Sequence, residues 1–327
     1  MFIFKIFIQN QRAFLRSSSA FLLITLLIFF IKPVQSQTPS DAIMMKKMEF
    51  CGLLSYTNGQ FNRYWEGDLL RKNKTIQTVH RQGVMPMVAF GVNKWLNVYA
   101  GLPYIWTYSS VPNGGYFAGA SGFQDFSLAV KAWILEKSND KGRINLLSSL
   151  SLSTPATKYL GDYLPYSLGL GDQQILPRLI AEGGLAKGPY VRASWGYQFR
   201  GYSKAERDYH YNNGSVYSYY MDVPGAWVYD LTLGTWLFQN QLKFEAAYMG
   251  TKSTSGDDIR PYNAPQPTNR TEIDQYSLLV HFYPKQVKGA GIVVQYNDVI
   301  RGRNAANMTS MSVGLTYQFS ILKQGNQ

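Results

Sequence analysis

The sequence predicts an all-β fold, a transmembrane antiparallel up-and-down β-barrel of about 12 strands with short periplasmic turns and long extracellular loops. Three observations predict it. From Met311 to Phe319 the chain alternates without error, with Met311, Val313, Leu315, Tyr317 and Phe319 on one face and Ser312, Gly314, Thr316 and Gln318 on the other. That is the period of a strand with one apolar and one small polar face. Connections between strand-like segments alternate between short and long along the chain, as they do when turns and loops lie on opposite sides of a membrane. A Greek-key sandwich has no reason to sort its loops by parity. Finally, 24 Tyr, 18 Phe, 7 Trp and 29 Gly suit twisted strands with interfacial aromatic belts, and no helical periodicity outlasts a turn or two after residue 36.

Residues 1–36 read as a secretory signal peptide. Lys5, Arg12 and Arg16 form a basic start, Phe21 to Ile31 is an apolar run of 11 residues, and Val34-Gln35-Ser36 ends in a small residue ahead of Gln37. A retained membrane helix needs about 20 apolar residues, so the run is too short to span. Residues 37–47 form a periplasmic lead-in, too short for a globular plug but long enough to lie inside the barrel mouth and narrow it. The barrel is predicted over 48–321, with 322–327 as a C-terminal tail.

Strands are predicted at 48–57, 75–92, 97–108, 124–135, 144–153, 174–186, 190–201, 226–238, 242–250, 274–284, 290–300 and 308–321. Most have the length of a tilted strand crossing a bilayer, roughly 9 to 11 residues. The short connections are 93–96, 136–143, 187–189, 239–241 and 285–289. The long ones are 109–123, 154–173, 202–225 and 251–273, with 301–307 compact. An even strand number returns both barrel ends to the periplasm, as a signal peptide and a terminal strand require. The ending, Gly314 followed by Tyr317 and Phe319, resembles the C-terminal assembly signal of bacterial outer-membrane barrels.

Facing follows from charge. In the seventh strand Val191, Ala193, Trp195, Tyr197 and Phe199 share one face, and Arg192, Ser194, Gly196, Gln198 and Arg200 the other. In the ninth, Leu242, Phe244, Ala246 and Tyr248 oppose Lys243, Glu245 and Ala247. Lys or Arg on the lipid face at mid-membrane would cost about 2–4 kcal/mol, so the charged face is the lumen. This assigns Asp125, Lys131, Arg178, Glu182, Arg192, Arg200, Asp230, Lys243, Glu245 and His281 to the interior. Two uses of them stay open: pairing across strands to fill a narrow barrel, or a bias toward anionic or polarisable solutes. If Ala186 pairs with Tyr190, Arg178 lies opposite Gln198 with Arg200 one step further out, a candidate anion track. Those guanidinium groups equally suit neutralising Glu182 and loop carboxylates. Tyr104, Trp106, Tyr108, Trp227 and Tyr229 fall near strand ends as belts. Pro86, Pro103 and Pro177 each withhold a ladder donor and mark candidate gaps in the wall.

Composition narrows the function classes. Removing 1–36 takes four of the 32 basic residues and none of the 20 acidic ones, leaving a net charge of +8. The basic residues are spread rather than clustered, and an exported chain meets no genome, so no nucleic-acid partner is expected. The single Cys51 leaves no disulfide framework or thiolate metal cluster, and no cofactor motif is present. His80, His210 and His281 are the histidines, and none has a Ser two residues later, as the His-x-Ser pair of an outer-membrane phospholipase would require. No catalytic residue is assigned. The run Tyr209 to Tyr220 is the most aromatic stretch and suits either stacking on a solute or packing within an external loop.

Three motifs resemble the outer-membrane barrels named for the meta-cleavage pathway of phenol degradation, loosely grouped with long-chain fatty-acid transporters. Val98 to Tyr104 is similar to that family's strand ending in a Pro-aromatic pair. Ala120 to Lys131 resembles its Ser-Gly-x-Gly-Asp strand opening, with Gln124 in place of Gly. Leu152 to Asp162 resembles its Pro-Thr-Gly-Asp loop, with Ala156-Thr157-Lys158 after the proline and Gly161-Asp162 later. The resemblance implies passive passage of small hydrophobic or aromatic compounds across a bacterial outer membrane. Its partners would be outer-membrane lipid, the barrel assembly machinery and the solute itself. The rivals are a closed structural or adhesive barrel and a lipid-modifying barrel enzyme.

Overall fold

The computed structural model describes residues 38–321 except 114–116, 186–187 and 261–263. The signal peptide expected at 1–36 and the tail at 322–327 lie outside the described residues. Twelve antiparallel barrel strands follow one another around the wall. They are β1 (Glu49–Phe61), β2 (Val79–Gly91), β3 (Leu96–Gly101 continued by Tyr104–Asn113), β4 (Phe117–Phe123 continued by Asp125–Ser138), β5 (Gly142–Pro155) and β6 (Gln174–Leu185). The second half comprises β7 (Tyr190–Arg200), β8 (Ala226–Leu237), β9 (Leu242–Ser253), β10 (Glu272–Phe282), β11 (Ala290–Arg303) and β12 (Thr309–Ser320). β1 pairs with β12 on one side, Glu49 opposite Ser320, and with β2 on the other, Phe50 opposite Phe90. The sheet is therefore closed and has no free edge.

Burial is inverted relative to a water-soluble protein. Leu315 is 62% exposed, Leu233 58% and Trp195 55%, while Lys131 on the inner face of β4 is 0% exposed. An apolar exterior around a polar interior is the signature of a membrane barrel. Aromatic clusters sit on the outside, with Trp195 stacked on Trp227 at 4.4 Å between ring centroids and Tyr104 edge-on to Phe123 at 5.2 Å. No helix among the described residues is long and apolar enough to cross a membrane.

Three expectations need correction. The connection expected at 109–123 is mostly strand, because β3 and β4 run on past the bilayer as one hairpin that closes with Asn113 opposite Phe117. β4 accordingly begins before Gln124, which forms a one-residue bulge: Tyr104 faces Phe123, whereas Gly101 faces Ser127. Pro103, which has no N–H, sits at the matching break in β3. There Leu102 N donates to Pro86 O at 3.2 Å and Gln124 N to Pro103 O at 2.9 Å. In the β6–β7 hairpin the register differs by two, with Gly184 opposite Tyr190, Arg178 opposite Gly196 and Gln174 opposite Arg200. The longer turn is closed by Leu185 N on Pro189 O at 3.0 Å, with Gly188 at φ 110°. Ala186, expected to pair with Tyr190, lies outside the described residues. An even slip keeps every side chain on its predicted face.

Candidate functional site

The barrel interior is the candidate site. Its periplasmic half is occupied by the lead-in, which enters the lumen ahead of β1. Asp41, Ala42 and Met45 are buried. Met45 packs with Cys51, Ala89, Tyr99 and Ala129, and Ala42 with Leu147 and Ile180. The chain passes so close to β2 that a Cβ on Gly91 would stand 2.1 Å from Lys46 O, so only glycine fits there. Lys131 holds the segment by three contacts: its Nζ donates to Asp41 Oδ1 at 2.8 Å, Thr38 O at 2.7 Å and Asp41 O at 3.2 Å.

The other predicted interior residues are also brought inward, and most are paired. Arg192 Nη1 reaches past β8 to Glu245 Oε1 at 2.8 Å, which also accepts from Tyr190 Oη at 2.6 Å and lies 3.5 Å from Lys243 Nζ. Glu182 faces Arg192 across the ladder but accepts instead from Arg143 Nε at 3.1 Å. Arg178 Nη1 donates to Asp230 Oδ2 at 3.2 Å and to Ser194 Oγ at 2.9 Å, and Ser194 Oγ donates in turn to Asp230. Both ring nitrogens of His281 are engaged, with Thr316 Oγ1 at 3.2 Å and Tyr283 Oη at 3.0 Å. The candidate anion track between Arg178 and Arg200 is therefore corrected. Their register places them apart, Arg178 is tied to Asp230, and Arg200 donates to Pro224 O at 3.2 Å and Gln198 Oε1 at 3.0 Å.

On the extracellular side the β5–β6 connection folds back over β2–β4 instead of standing away. Thr107 Oγ1 donates to Tyr166 O at 2.6 Å, Tyr166 Oη bonds Ser109 Oγ at 2.7 Å, and Arg81 Nη1 donates to Ser167 O at 2.9 Å. Tyr159 Oη donates to Asp125, so this predicted interior carboxylate anchors the loop. Burial pushes the Asp172 carboxyl above the usual range, while Gln174 Nε2 holds one of its oxygens at 2.9 Å. Sequence reasoning did not single out Asp41, Arg143, Tyr190 or Arg81. Asp41 sits in a short polar lead-in whose partner Lys131 is 90 residues away, and Arg143 falls at the end of a segment read as a turn, although its partner Glu182 is on the neighbouring strand β6.

Two concavities among the described residues bear on passage. One, of about 530 Å³, lies on the lipid side beside the β3 break and the β4 bulge, and is lined by Leu54, Pro86, Val88, Leu102, Phe126 and Tyr317. Of the three candidate gap prolines, Pro86 lines it, Pro103 sits at the adjoining break, and Pro177 is not among its lining residues. The other, of about 350 Å³, lies between β4 and the inward-folded loop.

The sequence matches no protein-family model and no curated protein. Among solved structures the fold is similar to the COG4313 outer membrane channel from Pseudomonas putida F1. The TM-score is 0.69 and the identity 12%, over 87% of this chain and 100% of that one. The NanC porin aligns with a TM-score of 0.45 and 9% identity over 80% and 98% of the two chains. The KdgM porin aligns with a TM-score of 0.41 and 10% identity over 82% and 99%. At 12% identity the likeness to the COG4313 channel speaks to architecture alone. A closed twelve-strand barrel with an apolar exterior is a bacterial outer-membrane fold.

Proposed function

We propose that the protein is a passive outer-membrane channel for small solutes, with hydrophobic or aromatic compounds as its preferred cargo. The observation that carries this reading is the pairing of an obstructed periplasmic lumen with the apolar concavity in the wall. Straight passage for a polar molecule is blocked by the Lys131–Asp41 latch and the Arg192–Glu245–Lys243 cluster. An apolar molecule has a sideways alternative at Pro86, where the lining offers apolar surface and about 25 cal/mol is gained per Å² removed from water. Lys131, Arg178, Glu182, Arg192, Arg200, Asp230, Lys243, Glu245 and His281 then line the lumen as its polar wall rather than as a row of free charges. The meta-pathway resemblance agrees with this cargo. Gly314, Tyr317 and Phe319 at the end of β12 suit recognition by the assembly machinery, and the exterior belts suit outer-membrane lipid. We assign no catalytic role.

Ala100 lines the lipid-side concavity from β3, opposite Val88. Ala100→Trp fills this concavity from the lipid side and leaves the lumen unaltered. Uptake of radiolabelled toluene by cells carrying this variant is expected to drop several-fold relative to wild type, while ion conductance of the refolded protein in a planar bilayer is unchanged. If cells with the wild-type barrel take up toluene no faster than cells without it, the channel reading falls.

A further inference from the structure

We infer that the cavity beneath the β5–β6 loop is an extracellular capture site for small ring-bearing monocarboxylates. The inference rests on the channel reading for its purpose and on the loop's own geometry for its chemistry. At about 350 Å³ the cavity is within the range of small-molecule sites, about 300–1,000 Å³. Its walls include Gly122, Lys158, Tyr159, Leu160, Tyr163 and Leu168.

The cavity is held open before any ligand arrives. Thr157 Oγ1 donates to Phe123 O at 2.5 Å at one end of the loop, and Thr107 and Ser109 hold Tyr166 further along it. A site already built binds without the cost of ordering a loop. Two tyrosine rings and two leucines supply flat and apolar surface suited to a six-membered ring. The polar groups around them are mostly spent. Tyr159 Oη donates to Asp125 and accepts from Gly171 N at 3.3 Å, and Ser167 Oγ donates to Gly169 O at 2.6 Å.

Lys158 is different. It is exposed at the rim and makes no ion pair among the described residues. Arg81, the nearby guanidinium on β2, is committed to the carbonyls of Ser167 and Leu168. One uncommitted ammonium beside an aromatic cavity selects a ring carrying a single negative charge. A neutral ring leaves the ammonium unused, and a small acid without a ring leaves the cavity unfilled.

Gly122 gives a way to close the site. A Cβ there would stand 3.2 Å from Leu168 Cδ1 and 3.8 Å from Thr157 Oγ1, so a longer side chain projects into the cavity. The test is isothermal titration calorimetry of the refolded mature protein in micelles, with benzoate as the probe. Benzoate is expected to bind at least tenfold more tightly than benzyl alcohol or acetate. Lys158→Ala should weaken benzoate at least tenfold, Lys158→Arg should retain it, and Gly122→Leu should abolish it. Absence of benzoate binding, or equal binding by Gly122→Leu protein that keeps its heat-modifiable migration, overturns the site. Benzoate binding by a protein that admits no solute would keep the site and remove the channel reading.

Discussion

Asp41→Ala should unlatch the lead-in and open the periplasmic half of the lumen. The side chains of Lys131 and Asp41 are 0% and 6% exposed, with Nζ and Oδ1 2.8 Å apart. Removing the carboxylate leaves an ammonium buried without its counter-charge, and breaking such a pair costs about 3–5 kcal/mol. The barrel itself does not have to bear that cost. If the lead-in withdraws, water reaches Lys131 and the penalty is relieved, at the expense of the segment's apolar anchors. Met45 is the chief of these, and full burial of such a side chain is worth about 1.5–3 kcal/mol. The electrostatic loss is the larger quantity, so the balance tips toward the open form, by a factor on the order of 10 where the two differ by about 1.4 kcal/mol. Single-channel recording should show a higher conductance or more frequent openings, and the backbone amides of residues 41–46 should exchange with deuterium faster than in wild type. Asp41→Ala with Met45→Ala should be open almost continuously. Wild-type conductance and wild-type exchange in both variants would refute the latch.

Two further expectations concern the extracellular side. Gly161→Ala puts a Cβ 2.2 Å from both Leu170 O and Ser203 Oγ; since a carbonyl cannot swing aside as a flexible side chain can, the inward loop should lose its packing and be cut by trypsin at Lys158 much faster than in wild type, with the barrel core intact. Arg303 joins Asp258, through Nη2 to Oδ2 at 2.6 Å, and Asp68, through Nη1 to Oδ2 at 3.1 Å, clasping loops from three parts of the chain. The hydrogen bond from Arg303 holds the Asp258 carboxyl below its ordinary 3.8, so its stabilisation is present above that value and is lost as pH falls through the depressed one. Deuterium exchange around residues 254–260, corrected for intrinsic rate, should accelerate on acidification below that window, and Asp258→Asn should be fast on both sides of it.

The wall was legible in the sequence because a membrane makes each strand declare its two faces. Arg192, Lys243 and Glu245 could be assigned inward from the cost of placing charge in lipid, and an error of two in the β6–β7 register left those assignments untouched. What lay inside the wall was less legible. Periodicity reports which way Arg178 points but not that Asp230, on a strand two along, meets it. The lead-in carries no pattern that announces Asp41 as a counter-ion, since its partner Lys131 is 90 residues away. The β3 and β4 extensions were missed for a related reason: above the bilayer the exterior face meets water and headgroups, and the apolar alternation that marks a strand fades while the hydrogen-bonded ladder continues.

The charge pairing inside the barrel also bears on energetics of passage. Lys131, Arg143, Arg178 and Arg192 each face a carboxylate within 3.2 Å, so the fields of these pairs largely cancel a short distance from the wall. In the proposed channel, a neutral molecule that reaches the lumen beside these pairs meets no deep electrostatic well that would hold it back from leaving through the wall. On that reading flux would follow the concentration difference across the membrane in either direction, and any net accumulation would have to come from whatever consumes the molecule on the far side.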